Sequence, residues 1–367
     1  MSESDFIPGL ELSRGFFTDL VEPLLREGMP DLRYSAGLIG AGSEVLGFDT
    51  PMSTDHHWGP RVQLFLSPEG FNSRAEEIRA FLARTLPPSH RGYSTNFTPP
   101  RPDDPGTRHL APPHGSLINH RAEAFTVSGY FESYLGIDAS KPFNAADWLT
   151  LPSQKLRSIV SGGVFRDDLG LEAVRRRLSW YPRDVWLYIL GCCWARIGQE
   201  EHLMGRAGSA EDEPGSALIG ARLVRDIMRI AFLLEKEYAP YPKWFGAAFK
   251  GLQCALRLQP RLHSALHAAD WREREAGLSS AYEEIMLIQS TLGITDETHG
   301  HVSRFWNRPF LVIHGDKIAE AVFSGIEDRA LSALAKNRPI GSIDLVSDNT
   351  DVLENTSLRP LIRNLYE

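Results

Sequence analysis

The stretch from Gly40 to Leu66, GAGSEVLGFDTPMSTDHHWGPRVQLFL, constrains this chain more than any other. The run Tyr34 to Ile39 before it reads as the first strand of a sheet, and the alternating Val62-Gln63-Leu64-Phe65-Leu66 reads as the next. Between them, Gly42-Ser43 is placed to open a helix. There, backbone N–H groups and a hydroxyl face an anion with the helix macrodipole behind them. Alone, the pair is an ordinary N-cap; followed by an acidic cluster and a strand, it reads as a phosphate cradle. Asp55-His56-His57 lies just ahead of the strand Arg61 to Leu66, where a carboxylate suits a hard divalent cation bridging phosphate oxygens. Strand alternation puts Asp55 and His57 on one side. A neutral imidazole can ligate, but it removes one negative charge and shifts preference from Mg2+ towards Mn2+. His57 therefore fits three roles: ligand, base, or the mark of a site that has lost turnover. Asp49 is a further carboxylate in the same stretch.

Gly-Ser followed at a distance by Asp-x-Asp resembles the pattern of the nucleotidyltransferase superfamily, which includes DNA polymerase beta and the kanamycin and streptomycin nucleotidyltransferases. His57 stands where that pattern has its second aspartate. More narrowly, GSEVLGFDTPMSTDHHWGPR together with the later KWFGAAF resembles the family called DUF4037. The resemblance implies a third carboxylate on a later strand, and Glu123, in Ala-Glu-Ala-Phe-Thr, is the matching position; Glu132 is a weaker alternative. It also implies a helical second domain whose lysine reaches the nucleotide phosphates. Lys243 in Pro-Lys-Trp-Phe matches that lysine, with Arg206 and Arg222 as lesser candidates.

Elsewhere the pattern is mainly helical. Gly15 to Glu27 repeats apolar residues at helical spacing around Pro23, and Ser73 to Thr85 is amphipathic with Ile78, Phe81 and Leu82 inward. From Pro87 to Gly115 runs a long connection rich in Pro and Gly, whose His90, Arg91, Arg101, Arg108, His109 and His114 either close over a nucleotide or decorate a surface loop. Leu117 to Val127 reads as a strand. Pro152 to Ser161 is expected as a helix ended by Gly162-Gly163, and Arg175-Arg176-Arg177 lies on the next helix. Asp184 to Glu201 is strongly apolar and expected as a central helix, with Cys192 and Cys193 as small core residues. Arg206 to Ser216 reads as a loop, Ala217 to Tyr238 as a helix and Lys317 to Ala335 as another.

A length of 367 residues allows two domains. The fold expected is α+β: a small mixed sheet with helices over residues 1–140, then a mostly helical domain over 141–367. The net charge of −8 argues against a general nucleic-acid binder, and three cysteines fit neither a disulfide framework nor a thiolate zinc site. The start, MSESDFIPGLEL, lacks a basic and apolar leader, and no apolar run is long enough to span a bilayer, so the cytoplasm is the expected location. No Gly-x-Ser-x-Gly elbow surrounds Ser43, which removes a serine-hydrolase reading. The expected activity is metal-dependent transfer of NMP from an NTP, ATP foremost, to a hydroxyl of a small-molecule acceptor, with release of pyrophosphate. The resemblance puts this site in a cleft between the domains. Mg2+ or Mn2+ is expected on Asp55, His57 and Glu123, and the phosphates on Gly42, Ser43 and Lys243. The rival expectation is a nucleotide-binding or protein-interaction module of the same fold without turnover.

Overall fold

The computed structural model describes residues 6–55, 57–100, 106–113, 115–295 and 300–367. The first helical stretch is α1 (Gly9–Phe16), a wide π turn (Phe17–Val21) and α2 (Glu22–Gly28). Proline has no N–H and crowds the carbonyl one turn back, and the wider turn just upstream of Pro23 absorbs the mismatch. Then follow β1 (Ser35–Leu38), β2 (Arg61–Leu66), α3 (Pro68–Thr85), β3 (Ser89–His90), β4 (Tyr93–Ser94), β5 (Arg121–Thr126) and α4 (Val127–Leu135). Helix α3 starts earlier than its apolar spacing predicts. Ser67 caps it by accepting the Gly70 N–H at 3.0 Å, and Pro68 takes the first turn, where no N–H is needed.

After α5 (Ala145–Leu149) and α6 (Ser153–Val160) the chain makes β6 (Gly163–Asp167) and α7 (Leu171–Arg177). The four-stranded sheet has the order β5-β2-β1-β6. Strand β1 runs antiparallel to both β2 and β6, whereas β2 and β5, joined through α3, are parallel. The α+β class expected from the sequence is thus what forms. Strand β6 departs from expectation: Gly162-Gly163 ends a helix as read, but Gly-Val-Phe-Arg-Asp then pairs along the free edge of β1. One of the three adjacent arginines has a fixed job here. Arg175 is buried and donates to the carbonyls of Ile159, Val160 and Ser161 at 3.0, 2.9 and 2.9 Å, closing the C-terminal end of α6, while Arg176 is exposed.

The chain divides into two units, Met1–Pro142 with Lys155–Ser179, and Phe143–Gln154 with Trp180–Glu367. The chain leaves the sheet unit after Pro142 and returns to it once, for β6. Pairing of period two sorts the strand residues of this unit between two faces. Ala36, Val62, Leu64, Leu66 and Ala122 pack in one core with Phe16, Val21, Leu25, Ile78 and Leu82. Arg61, Gln63, Arg121 and Glu123, one step out of phase, belong to the opposite face.

The second unit is built on α8 (Arg183–Ser209), α9 (Glu213–Leu234), α10 (Pro242–Lys250), α11 (Ala255–Leu266) and α12 (Trp271–Thr291). A hairpin, β7 (Ser303–Arg304) with β8 (Leu311–Val312), precedes α13 (Gly315–Ser324) and α14 (Arg329–Asn337), and the short α15 (Ile343–Val346), α16 (Thr350–Glu354) and α17 (Arg359–Arg363) complete it. The segment Arg206 to Ser216, expected as a loop, instead carries α8 on to Ser209. Its glycines are packing devices: a Cβ on Gly208 would collide with Trp271, and one on Gly205 would lie 2.8 Å from Phe310. Tertiary contact outweighs local propensity at those positions. The run Lys317 to Ala335 is two helices, because Gly325 closes α13 and Asp328 caps α14 on the Leu331 N–H at 2.9 Å. Cys192 and Cys193 are buried free thiols, as expected. Asp226 is fully buried between Arg196 at 3.0 Å and Arg229 at 3.2 Å. Among the described residues no helix is long and apolar enough to cross a membrane.

Glu201, buried on α8, ties α8 to the start of α13 by accepting the N–H groups of Ile313 at 2.6 Å and Gly315 at 3.0 Å. Burial pushes its carboxyl up to about 7, against the pull of those N–H bonds. Because the folded value exceeds the unfolded one, the ionised form costs stability above pH 7, and that cost disappears as pH falls through 7 towards 4.5. Thermal unfolding of wild type and Glu201→Gln between pH 5 and 8 checks this. The difference in melting temperature, wild type minus variant, is expected to shrink as pH rises; a constant difference contradicts it.

Candidate functional site

The loop after β1 is set by one side-chain amide. Gln63 on β2 accepts the Ile39 N–H at 2.9 Å and donates to the Ile39 carbonyl at 2.9 Å. The Tyr130 hydroxyl donates to that same carbonyl at 2.9 Å and accepts from Gln63 at 3.1 Å. Burial holds the Tyr130 phenol well above its ordinary value, so it stays a protonated donor. Gly40 then turns with φ +87° and donates to the Ser158 carbonyl at 2.8 Å. No helix follows Gly42-Ser43. Residues 43–47 form a single turn, closed by Gly47 N–H to the Glu44 carbonyl at 3.3 Å and Phe48 N–H to the Ser43 carbonyl at 2.9 Å, and Gly47 leaves it with φ +73°. The expected macrodipole is therefore missing, and an anion at this loop would rely on single N–H groups and nearby cations.

Those cations are close. Arg61 at the start of β2 is buried against Glu44, with Nη2 at 2.5 Å and Nε at 2.9 Å from Oε1, and it donates to the Ala41 carbonyl at 2.8 Å. Gly42, at φ +143°, has no room for a Cβ, which would sit 2.5 Å from Glu44 Oε2 and 2.6 Å from Arg61 Nη2. Asp49 is engaged elsewhere, accepting from Gly9 N–H at 2.7 Å and the Trp58 indole at 2.9 Å.

Asp55 is the exposed last residue of a 3-10 turn (Pro51–Asp55), and His57 has φ +54°. Strand alternation does not reach them, because a tight turn and a left-handed residue intervene before β2 begins at Arg61. His56 lies outside the described residues, as do Arg101 and His114. The structure laces Asp55 and His57 to the long connection: His57 N–H donates to the Arg108 carbonyl at 2.8 Å, and the His109 ring meets the Asp55 carbonyl. That connection is folded, with Thr98 N–H on the His109 carbonyl at 2.8 Å and Ala111 N–H on the Asn96 carbonyl at 3.0 Å. His90 and Arg91 serve a separate place beside Asp19, which Arg91 meets at 2.9 Å.

On the neighbouring strand, Arg121 stands opposite Arg61 and Glu123 opposite Gln63. Arg121 is buried, lies over the Phe97 ring and pairs with Glu123 at 2.8 Å, while its Nη1 has no hydrogen-bond partner among the described residues. Burial lowers its guanidinium from the ordinary value, Glu123 opposes that, and the charges of Arg61 and Arg108 lower it further. Arg108 is half-buried and has no ion pair among the described residues. Glu132 is exposed on α4.

Among the described residues no three His, Cys, Asp or Glu side chains are grouped to hold a metal ion. With Glu123 engaged by Arg121, the expected set of Asp55, His57 and Glu123 is not gathered into a three-ligand cage. In the second unit, Lys243 begins α10 as expected, exposed, its ammonium 4.9 Å from the centre of the Trp244 ring. Arg206 is exposed in the last turn of α8, and Arg222 is paired with Glu200.

Arg61, Gln63 and Arg121 were not singled out from the sequence, although a signal was there. The two parallel strands read Arg61-Val-Gln-Leu-Phe65 and Arg121-Ala-Glu-Ala-Phe125, the same Arg-x-(Gln/Glu)-x-Phe pattern, and they pair in register.

A methyl group on Gly40 would displace the Tyr130 hydroxyl from a backbone turn that only glycine adopts cheaply. Gly40→Ala is expected to cost about 1–3 kcal/mol in denaturant unfolding of the first unit, and a loss indistinguishable from zero contradicts this anchoring.

No curated protein matches the chain. A family model does: residues 148–245, from within α5 into α10, match the Domain of unknown function (DUF4037). That span includes Arg206, Arg222 and Lys243 and none of Arg61, Arg108 and Arg121. The chain thus carries a DUF4037 domain at residues 148–245.

Proposed function

We propose that the first unit binds the phosphates of an NTP, ATP foremost, and that the protein is a nucleotidyltransferase acting on a hydroxyl of a small-molecule acceptor. One observation carries this reading. Arg61 and Arg121 stand opposite each other in register on adjacent strands, the charge of Arg108 also acts on Arg121, and among the described residues Arg121 keeps a buried donor without a hydrogen-bond partner. Like charges brought together out of water are costly unless an anion joins them, and guanidinium groups suit phosphate oxygens by geometry as well as charge. Arg61 is already balanced by Glu44, so Arg108 and Arg121 would take the phosphates and Arg61 would hold the loop.

In the transfer, the acceptor oxygen attacks the α-phosphorus, the bond to the bridging oxygen of the β-phosphate breaks, and pyrophosphate leaves with that electron pair. The hydroxyl proton goes to a carboxylate; Asp55, exposed and with its backbone carbonyl at the His109 ring, is the candidate. The arginines stabilise the charge growing on the phosphates, and no step is assigned to a metal. The resemblance of the Gly-Ser and Asp-His-His stretch to the nucleotidyltransferase superfamily supports the same reading; the DUF4037 match at residues 148–245 lies outside that stretch and carries no part of it. A second reading, nucleotide binding without turnover, is favoured by the engagement of Glu123 with Arg121.

Calorimetric titration of ATP into wild type and Arg108→Ala tests the binding site. Arg108 has no ion pair among the described residues, so its removal leaves the fold intact, and ATP affinity is expected to fall about tenfold or more, 1.4 kcal/mol or above. Equal affinity in the variant removes the phosphate assignment. With binding in hand, pyrophosphate release across a panel of hydroxyl compounds, lost in Asp55→Asn, separates transfer from binding alone.

A further inference from the structure

The second unit contains a cavity of about 1070 Å³ between α8, the β7–β8 hairpin, α13 and α14. Its volume lies just above the range of roughly 300–1,000 Å³ typical of small-ligand pockets, so a nucleotide-sized molecule fits. The walls combine flat rings with cations. His202 lies on Phe305, ring centres 4.4 Å apart and planes 15° from parallel, and its Nδ1 is buried with no hydrogen-bond partner among the described residues. Trp306, next in the chain, is 83% exposed. An indole left in water with one face open is a ready surface for another ring.

The backbone here is held in unusual conformations. Trp306 has φ +58° and His314 has φ +60°, and His314 Nε2 is 2.7 Å from Ser303 Oγ across the hairpin. Two non-glycine residues in the left-handed region at one cavity cost free energy, and such strain collects where a ligand is received.

Arg304 on β7, Lys317 on α13 and Lys336 on α14 also line the cavity, and among the described residues none of them has an ion-pair partner. Against them stand Asp316 and Glu320; Glu201 faces the cavity too, but its carboxylate is held by the Ile313 and Gly315 N–H groups. Three unpaired cations from three elements outnumber the two available carboxylates. We propose that this cavity binds a flat heteroaromatic ring carrying a phosphate, the ring on Trp306 beside the His202–Phe305 stack and the phosphate among Arg304, Lys317 and Lys336. Ring stacking and charge-assisted hydrogen bonds then act on the two ends of one molecule. This site shares no residue with the phosphate site of the first unit and does not depend on it.

AMP, titrated calorimetrically into the full chain, is the probe, with adenosine and ribose 5-phosphate as its two halves. AMP is expected to bind more tightly than either half. Its affinity is expected to fall about tenfold or more in Trp306→Ala and in Lys317→Ala. Trp306 and Lys317 are exposed, so both variants should fold, and unchanged thermal melting confirms it; Lys336→Ala replaces any variant that melts early. Absence of AMP binding, or AMP affinity unchanged in Trp306→Ala, would overturn the proposal.

Discussion

Two buried arginines face each other across parallel strands in the first unit, and much of the local structure exists to make that tolerable. Arg61 is neutralised by Glu44, which has to be buried to reach it. Glu44 can be buried there only because Gly9 and Gly42 leave room around it, since a Cβ on either would lie within 2.7 Å of its side chain. Arg121 has Glu123 on one side and the face of Phe97 on the other, and among the described residues its Nη1 has no hydrogen-bond partner. Removing one partner from such a buried set strands a charge and costs more than the pair itself contributes. The Gly-rich loop, the turn at residues 43–47 and the long connection carrying Arg108 all gather around this charge pattern.

The same pattern accounts for what the sequence disclosed and what it withheld. Apolar alternation in Val62-Gln63-Leu64-Phe65-Leu66 announces β2, and the spacing of Phe16, Val21 and Leu25 announces the first helices, because burial of one face is a local, periodic demand. Strand β6 is too short for its periodicity to speak, and its partner β1 is remote in sequence. The missing helix after Gly42-Ser43 has a similar cause: an N-cap signal states where a helix can begin, whereas Gly47 and the engagement of Asp49 with Gly9 and Trp58 decide that none does. For the site, Asp55, His57 and Glu123 were legible as residue types, but the preference of Glu123 for Arg121 is a pairing between positions two apart on a strand. Arg108 was legible only as one basic residue among several in a long connection.

In the second unit the glycines that look like loop residues are instead contact points. Gly198 and Gly315 let α13 and α8 touch backbone to backbone, since a Cβ on Gly198 would lie 2.6 Å from the Asp316 nitrogen. Glu201, one turn away, reaches the amides that this approach exposes. The cavity lies beside that junction, and Lys317 and His314 owe their positions to it. Small residues thus set the frame, and larger rings and charges line what the frame leaves open.

The central claim is that arginines rather than a metal cage receive the phosphates in the first unit. ATP affinity measured in EDTA and again with Mg2+ or Mn2+ tests it most directly. Binding that persists in EDTA, within a few-fold of its value with metal, is the result expected from Arg108 and Arg121. Binding that appears only with metal would contradict the claim and return the phosphates to Asp55, His57 and Glu123.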